Sequence, residues 1–185
     1  MIKLEEVMDS PVCYGCGACV SMCPSDAVYM RTDKKGFRRP GILKSKCTGC
    51  NLCYRTCPAV KANRDALFSA SPGSAKALLS VRNRDNDIRK NSSSGGLFTA
   101  LSDYVLAQGG VVCGAVWLDG LSVGHICAVN AEDRNRMRQS KYVQSDIGCC
   151  FREIRTYLNS GKTVLFTGTP CQTGGLRLFL RDSDT

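Results

Sequence analysis

Cys13-Tyr14-Gly15-Cys16-Gly17-Ala18-Cys19-Val20-Ser21-Met22-Cys23-Pro24 and Cys47-Thr48-Gly49-Cys50-Asn51-Leu52-Cys53-Tyr54-Arg55-Thr56-Cys57-Pro58 are one pattern written twice, C-x2-C-x2-C-x3-C-P. In two-cluster ferredoxins of the bacterial type, three closely spaced thiolates of such a run hold one [4Fe–4S] cluster and the fourth crosses to the other. That rule assigns Cys13, Cys16, Cys19 and Cys57 to cluster one, and Cys47, Cys50, Cys53 and Cys23 to cluster two. Two-residue gaps let the backbone wind around a cube and aim N–H groups at its sulfurs, a tight path that Gly15, Gly17 and Gly49 ease. The proline after each fourth cysteine has no N–H and sets the direction in which the chain leaves. Structural zinc takes its cysteines in separated pairs, not in threes with a proline-marked fourth. Crossed in this way, the clusters form a relay for single electrons, with donor and acceptor still open.

Working outward, the chain has 185 residues and thirteen cysteines. The opening Met1-Ile2-Lys3-Leu4-Glu5-Glu6 carries acids where a secretory leader needs an apolar stretch. A cytoplasmic, reducing location is therefore expected, and there dense cysteine means metal or redox chemistry rather than disulfides. The longest apolar run, residues 111–118, is too short for a membrane span. The formal charge is +9. Two clusters, each a net −2 with its thiolates, bring the total to about +5, which weakens a nucleic-acid reading. The basic groups Arg82, Arg84, Arg89, Lys90 and Arg134, Arg136, Arg138, Lys141 are either solvated faces or attract an anionic cofactor or an acidic redox partner. Nucleic-acid binding would want interleaved aromatics, and these stretches have almost none.

The fold class expected is α+β or α/β: a two-cluster ferredoxin-like module over residues 1–60, a turn-rich linker over 61–74, and an α/β region over 75–185. Within that region residues 77–81 read as a short strand. Leu97, Leu101, Tyr104, Val105 and Gln108 fall on one helical face that Gly109-Gly110 ends. Residues 111–117 and 121–128 read as strands around a hairpin turn at Asp119-Gly120. Ile147, Phe151, Ile154 and Leu158 make a second helical stripe. Residues 163–167 read as a buried strand, followed by a turn at Gly168-Thr169-Pro170 and a last helix with Leu176, Phe179 and Leu180. Gly174-Gly175 puts two poor helix formers where that helix should begin, which predicts a loose turn.

Ser92-Ser93-Ser94-Gly95-Gly96 precedes a helix. Hydroxyls and glycine backbone there suit either an anionic phosphate or an ordinary N-cap. Gly168-Thr169-Pro170-Cys171-Gln172 joins a strand to a helix, where open α/β sheets bind ligands. No G-x-G-x-x-G fingerprint is present. The order Arg89-x2-Ser92-Ser93-Ser94-Gly95-Gly96, Gly109-Gly110-Val111-Val112-x-Gly114-Ala115, Ser140-Lys141-Tyr142-Val143-Gln144-Ser145, Gly168-Thr169-Pro170-Cys171-Gln172 resembles the coenzyme F-420 hydrogenase/dehydrogenase beta-subunit family, whose bacterial members carry such a cluster pair in front. The resemblance implies an FAD-containing iron–sulfur oxidoreductase. In it Ser93, Ser94, Gly95, Gly96, Lys141, Tyr142, Gly168, Thr169, Pro170, Cys171 and Gln172 would border the flavin, with Lys141 at its phosphates or ring edge. A flavin takes two electrons together and releases them singly to clusters that carry one each. The acceptor implied is a deazaflavin or another conjugated small molecule. Members of the family are longer than this chain, so the flavin domain is expected to be incomplete here and to need a C-terminal segment or a redox partner protein. The competing reading is a ferredoxin-type electron carrier whose α/β part only docks a partner.

The remaining cysteines read as packing residues. If Leu118 pairs with Leu121, Cys113 lies opposite Ile126 and the thiols of Cys113 and Cys127 fall on opposite faces of the hairpin. Cys149 and Cys150 are adjacent on a helix and diverge. Cys171 either lines the site, binds a further cluster or packs. His125, the only histidine, reads as structural.

Overall fold

A computed structural model describes residues 4–60, 63, 65, 67 and 77–181. The linker expected over 61–74 thus falls almost wholly outside the described residues. In chain order the helices are α1 (Glu5–Met8), α2 (Ala18–Met22), α3 (Leu52–Arg55), α4 (Asn86–Lys90), α5 (Leu97–Ala107), α6 (Ala131–Arg136), α7 (Cys150–Asn159) and α8 (Pro170–Arg181). The strands are β1 (Val28–Thr32), β2 (Arg38–Ile42), β3 (Val111–Trp117), β4 (Val123–Ala128) and β5 (Val164–Phe166). The class is α+β, and the chain divides into two compact units.

Unit one combines residues 1–71, 146–151 and 168–185. Its sheet is the antiparallel pair β1–β2, running from Val28↔Ile42 to Thr32↔Arg38. Asp33 closes the turn, its Oδ1 accepting the N–H groups of Lys35 at 2.8 Å and Phe37 at 2.9 Å. Leu4, Ala27 and Val28 form the core together with Cys19, Cys23 and Cys53. Half of those core residues are therefore thiols, so this small unit completes its interior with whatever the sulfurs bind.

The expected looseness at Gly174-Gly175 is corrected. Both glycines are buried and lie inside α8, which also buries Leu176, Leu178 and Phe179. A Cβ on Gly175 would stand 2.9 Å from the Ala18 Cβ. The glycine is there for close approach of α8 to α2, and that packing outweighs its helix propensity.

Unit two comprises residues 72–145 and 152–167. Its sheet has the order β4-β3-β5, with β3 antiparallel to β4 and parallel to β5. Val105, Val112, Val116, Ala128 and Met137 form its core, with Phe98, Leu106, Ile126 and Leu165 packed against them.

Four local expectations change. Residues 77–81 make no strand, and Leu78 is 96% exposed. Helix α5 buries Thr99, Ser102 and Val105, while Leu97, Leu101 and Tyr104 face out. A buried arginine explains that rotation: Arg134 donates to the Thr99 carbonyl at 3.1 Å, to the Ser102 hydroxyl, and to Asp103 at 2.7 Å. Arg134 is thus neither a solvated charge nor an anion receptor. Helix α7 starts at Cys150, after Ile147, and Cys149 is exposed while Cys150 is buried.

The fourth change is the hairpin register. Residues Asp119–Leu121 form a single 3-10 turn, with Gly120 at φ 70° and Leu121 at φ 61°. The Leu118 N–H reaches the Ser122 carbonyl at 2.8 Å, so Trp117 pairs with Val123. The turn holds one residue more than Asp119-Gly120 alone suggests. Every pair shifts with it, and Cys113 lies opposite Cys127 rather than Ile126.

Candidate functional site

The two cysteine runs line two separate pockets. One is lined by Cys13, Cys16, Cys19 and Cys57, under Leu4, Val7, Met8, Met30 and Pro40. The other is lined by Cys23, Cys47, Cys50 and Cys53, beside Val28 and Ile42. In each, three thiols come from one run and the fourth from the other. Backbone geometry makes this possible. Gly15, Gly17, Gly49 and Asn51 take left-handed φ angles of 64°, 77°, 72° and 59°. These reverse the chain between cysteines, and α2 and α3 then start at Ala18 and Leu52.

The pockets differ in surroundings. The first has an apolar roof, in which Leu4 is 1% exposed. The second opens to solvent, since Thr48, Gly49 and Cys50 are exposed, and Lys44 and Lys46 stand exposed just before it. The thiols respond accordingly. Burial pushes Cys16 up to about 12, with the nearby thiols adding to it. Burial likewise pushes Cys53 up to about 11 and raises Cys19 and Cys57. For Cys23 burial also acts upward, but hydrogen bonds from Ser25, the Ala27 N–H at 3.2 Å and Val28 outweigh it and the thiol is lowered. Crowded thiolates repel one another, and a cationic core makes their charged form favourable. A donor set of four thiolates with no carboxylate or imidazole fits a [4Fe–4S] core.

Residues outside the two runs also attend the first pocket. Arg39, to which cysteine spacing gives no pointer, donates to the carbonyl oxygens of Cys13 and Ser10 and to Asp33. Its contact with Cys13 holds the guanidinium firmly charged. No motif signals it, because the turn at Asp33 brings it there. The Gly168–Gln172 block belongs to unit one as well. Gln172 is buried and its Oε1 accepts the Thr169 N–H at 2.9 Å, pinning the start of α8. Cys171 meets the Thr169 hydroxyl at 3.1 Å and lies near enough to Cys16 to contribute to its raised pKa.

Unit two holds a cleft of about 530 Å³, lined by Ser92 through Phe98, Met137 through Ser140, Leu79, Val81 and Thr167. The structure thus brings Ser93, Ser94, Gly95 and Gly96 to one cleft with Ser140, whose N–H donates to the Ser93 Oγ at 2.7 Å. No side chain caps α5; its N-cap is Gly96 at φ 78°, and its first turn has no acid. The Ser92 hydroxyl donates backwards to the Ile88 carbonyl at 2.7 Å.

Lys141 is occupied elsewhere. Its Nζ donates to the carbonyls of Arg136 at 2.9 Å, Arg138 at 2.6 Å and Gln139 at 3.2 Å, and burial lowers its pKa. It lines a neighbouring cleft of about 340 Å³ with Arg136, Arg138 and Trp117. Tyr142 is 94% exposed. His125 has its Nε2 3.1 Å from the Thr167 carbonyl and its ring stacked 5.4 Å from Phe166.

Residues 12–61 match the 4Fe-4S dicluster domain. Over 95% of its length the chain is 26% identical to a subunit of the F(420)H(2) dehydrogenase of Methanosarcina mazei, covering 51% of that protein. Over 95% of its length it is 28% identical to the coenzyme F420-dependent sulfite reductase of Methanocaldococcus jannaschii, covering 26% of that protein. A stretch making up 34% of the chain is 31% identical to the VorC subunit of the ketoisovalerate oxidoreductase of Methanothermobacter marburgensis, covering 81% of it. The chain therefore spans about half the length of the first of these relatives. No helix among the described residues is long and apolar enough to cross a membrane.

Proposed function

We propose, from the premise that the chain belongs to the coenzyme F-420 hydrogenase/dehydrogenase beta-subunit family, that it is the electron-relay part of an iron–sulfur flavoprotein oxidoreductase of the cytoplasm. The observation that carries the reading is the pair of four-cysteine pockets, each drawing its fourth thiol from the other run. Cys13, Cys16, Cys19 and Cys57 would hold one [4Fe–4S] cluster and Cys23, Cys47, Cys50 and Cys53 the other. When bound, the clusters supply one-electron storage, and an FAD supplies exchange between paired and single electrons.

The chain's own residues set the conditions for that chemistry. The roof of Leu4, Val7 and Met8 excludes water from the first pocket, and Arg39 places a fixed positive charge beside Cys13. The exposed rim at Thr48, Gly49 and Cys50 makes the second pocket the port for a partner protein. Lys44 and Lys46 beside it favour an acidic one. The Ser92–Gly96 turn offers uncapped N–H groups at the start of α5, which suit the pyrophosphate of FAD. The cluster module is unit one, which takes in α8, and the α/β region is unit two. The final acceptor is a deazaflavin such as coenzyme F-420 or a similar conjugated molecule, by likeness to the named relatives.

The test is metal, sulfide and flavin analysis of anaerobically purified protein. The expected result is about eight iron and eight sulfide per chain with FAD retained or taken up on titration. Zinc in place of iron would overturn the relay. Full iron with no FAD binding at any concentration would leave the carrier function, with unit two as a docking module.

A further inference from the structure

We propose that Cys113 and Cys127 form a reversible disulfide across β3 and β4, exchanging with low-molecular-weight disulfides and thiols. This site is independent of the eight ligand cysteines and of the flavin reading.

The backbone defines the pair. Cys113 and Cys127 are register partners in the antiparallel ladder. The hairpin is closed by the Leu118 N–H to the Ser122 carbonyl, and hydrogen-bonded and non-hydrogen-bonded pairs alternate from there along the ladder. Counting back makes Cys113–Cys127 a non-hydrogen-bonded pair. The other edge of β3 agrees, because the Cys113 carbonyl accepts from the Thr167 N–H at 2.9 Å and from the Thr167 hydroxyl at 3.3 Å. Its backbone therefore faces β5, away from β4. In a non-hydrogen-bonded pair the Cα atoms approach to about 4.5 Å and the side chains stand closest, within the range that a disulfide spans. The two Sγ atoms lie 2.6 Å apart.

Exposure gives the pair two distinct roles. Cys113 is fully buried and Cys127 is partly exposed. The Cys127 thiolate attacks one sulfur of a small disulfide, forming a mixed disulfide and expelling one thiolate. Cys113 gives up its proton and attacks the Cys127 sulfur, expelling the second thiolate. Two protein thiols become one disulfide, and the small disulfide becomes two thiols, so two electrons and two protons leave the protein. Excess thiol reverses both steps. Closure fixes β3 to β4 at the residue whose carbonyl holds Thr167, a residue that lines the 530 Å³ cleft. The redox state of the pair is therefore felt at that wall.

The sequence supplies a clean readout. No Lys or Arg lies between Lys90 and Arg134, so trypsin releases residues 91–134 as one peptide whose only cysteines are Cys113 and Cys127. Anaerobic holoprotein is incubated with oxidised glutathione, quenched in acid, alkylated under denaturing conditions and digested. The expected peptide carries no alkyl group, is about 2 Da lighter than its dithiol form for the two hydrogens lost, and reverts with dithiothreitol. Cys113→Ser should trap one glutathione on Cys127, and Cys127→Ser should leave Cys113 unmodified. A wild-type peptide recovered with both thiols alkylated, including one whose thiols had held a soft metal ion until the quench, would overturn the proposal. So would separate glutathione adducts on the two cysteines with no bridge.

Discussion

A Cβ on Gly175 would stand 3.5 Å from the Cys16 sulfur, so helix α8 presses its barest residue against a thiol of the first cysteine pocket. Gly175→Val should therefore disturb that pocket without replacing any of its cysteines. The expected outcome is loss of about half the iron, with the remaining signal that of the cluster on Cys47, Cys50 and Cys53. Gly174→Ala is the control, because its Cβ would meet the end of the Leu67 side chain at 3.1 Å and that side chain can turn aside. Iron analysis with electron paramagnetic resonance of the reduced protein checks both.

Crossed ligation makes a second, opposite demand. Cys23 belongs to the first run but lines the second pocket. Cys23→Ala should cost the second pocket its cluster and leave the first intact, again at about four iron per chain. Loss of the first cluster's signal with the second retained would show that each run serves its own pocket.

Proton balance gives a third expectation. Burial raises Cys16 to about 12 and Cys53 to about 11, above an ordinary thiol value of 9.0. These raised values favour the protonated metal-free fold below about pH 9, a contribution lost as pH climbs through 11 to 12. Clusters bind thiolates, so assembly at neutral pH must expel those protons and should grow more favourable as pH rises from 6 to about 8. An indicator dye in weak buffer should register proton release on reconstitution with iron and sulfide. No release would mean that the thiols were already ionised.

Ser94 offers a test of the cleft that leaves the fold alone. Ser94→Asp puts a carboxylate just before the uncapped start of α5, where it should slightly stabilise the helix and repel phosphate. FAD affinity is expected to fall about tenfold while the melting temperature, followed by the single Trp117, holds or rises. Gly95→Val is a poorer probe, because a Cβ there would sit 2.5 Å from the Val81 carbonyl and break the turn itself.

What was legible in the sequence follows from how far each feature depends on neighbours along the chain. The cysteine pockets depend on covalent spacing, which is enough to say which thiols share each one. Strands β3 and β4 and helix α8 could be read from local pattern. The register of β3 against β4 could not, because it hangs on one residue, Leu121, taking a left-handed conformation that non-glycine residues seldom adopt. The buried face of α5 was equally hidden. Thr99 and Ser102 look like a polar surface until Arg134, far along the chain, is seen to bond them. Gly174-Gly175 looks like weakness for the same reason, since the need for Gly175 lies at Ala18. Family resemblance alone points Lys141 at a phosphate, and only the fold shows its ammonium spread over three backbone carbonyls.

Unit one is assembled from three separated stretches of chain, with its closing helix, α8, far downstream of the cysteine runs. Translation therefore finishes every cysteine of both runs, and then the whole of unit two, before the ribosome adds the helix that shuts against Cys16. At a synthesis rate of about 5–20 residues per second, the first pocket stays open on that side for several seconds of each birth. That interval keeps the Cys16 side of the pocket reachable while the chain is still being made.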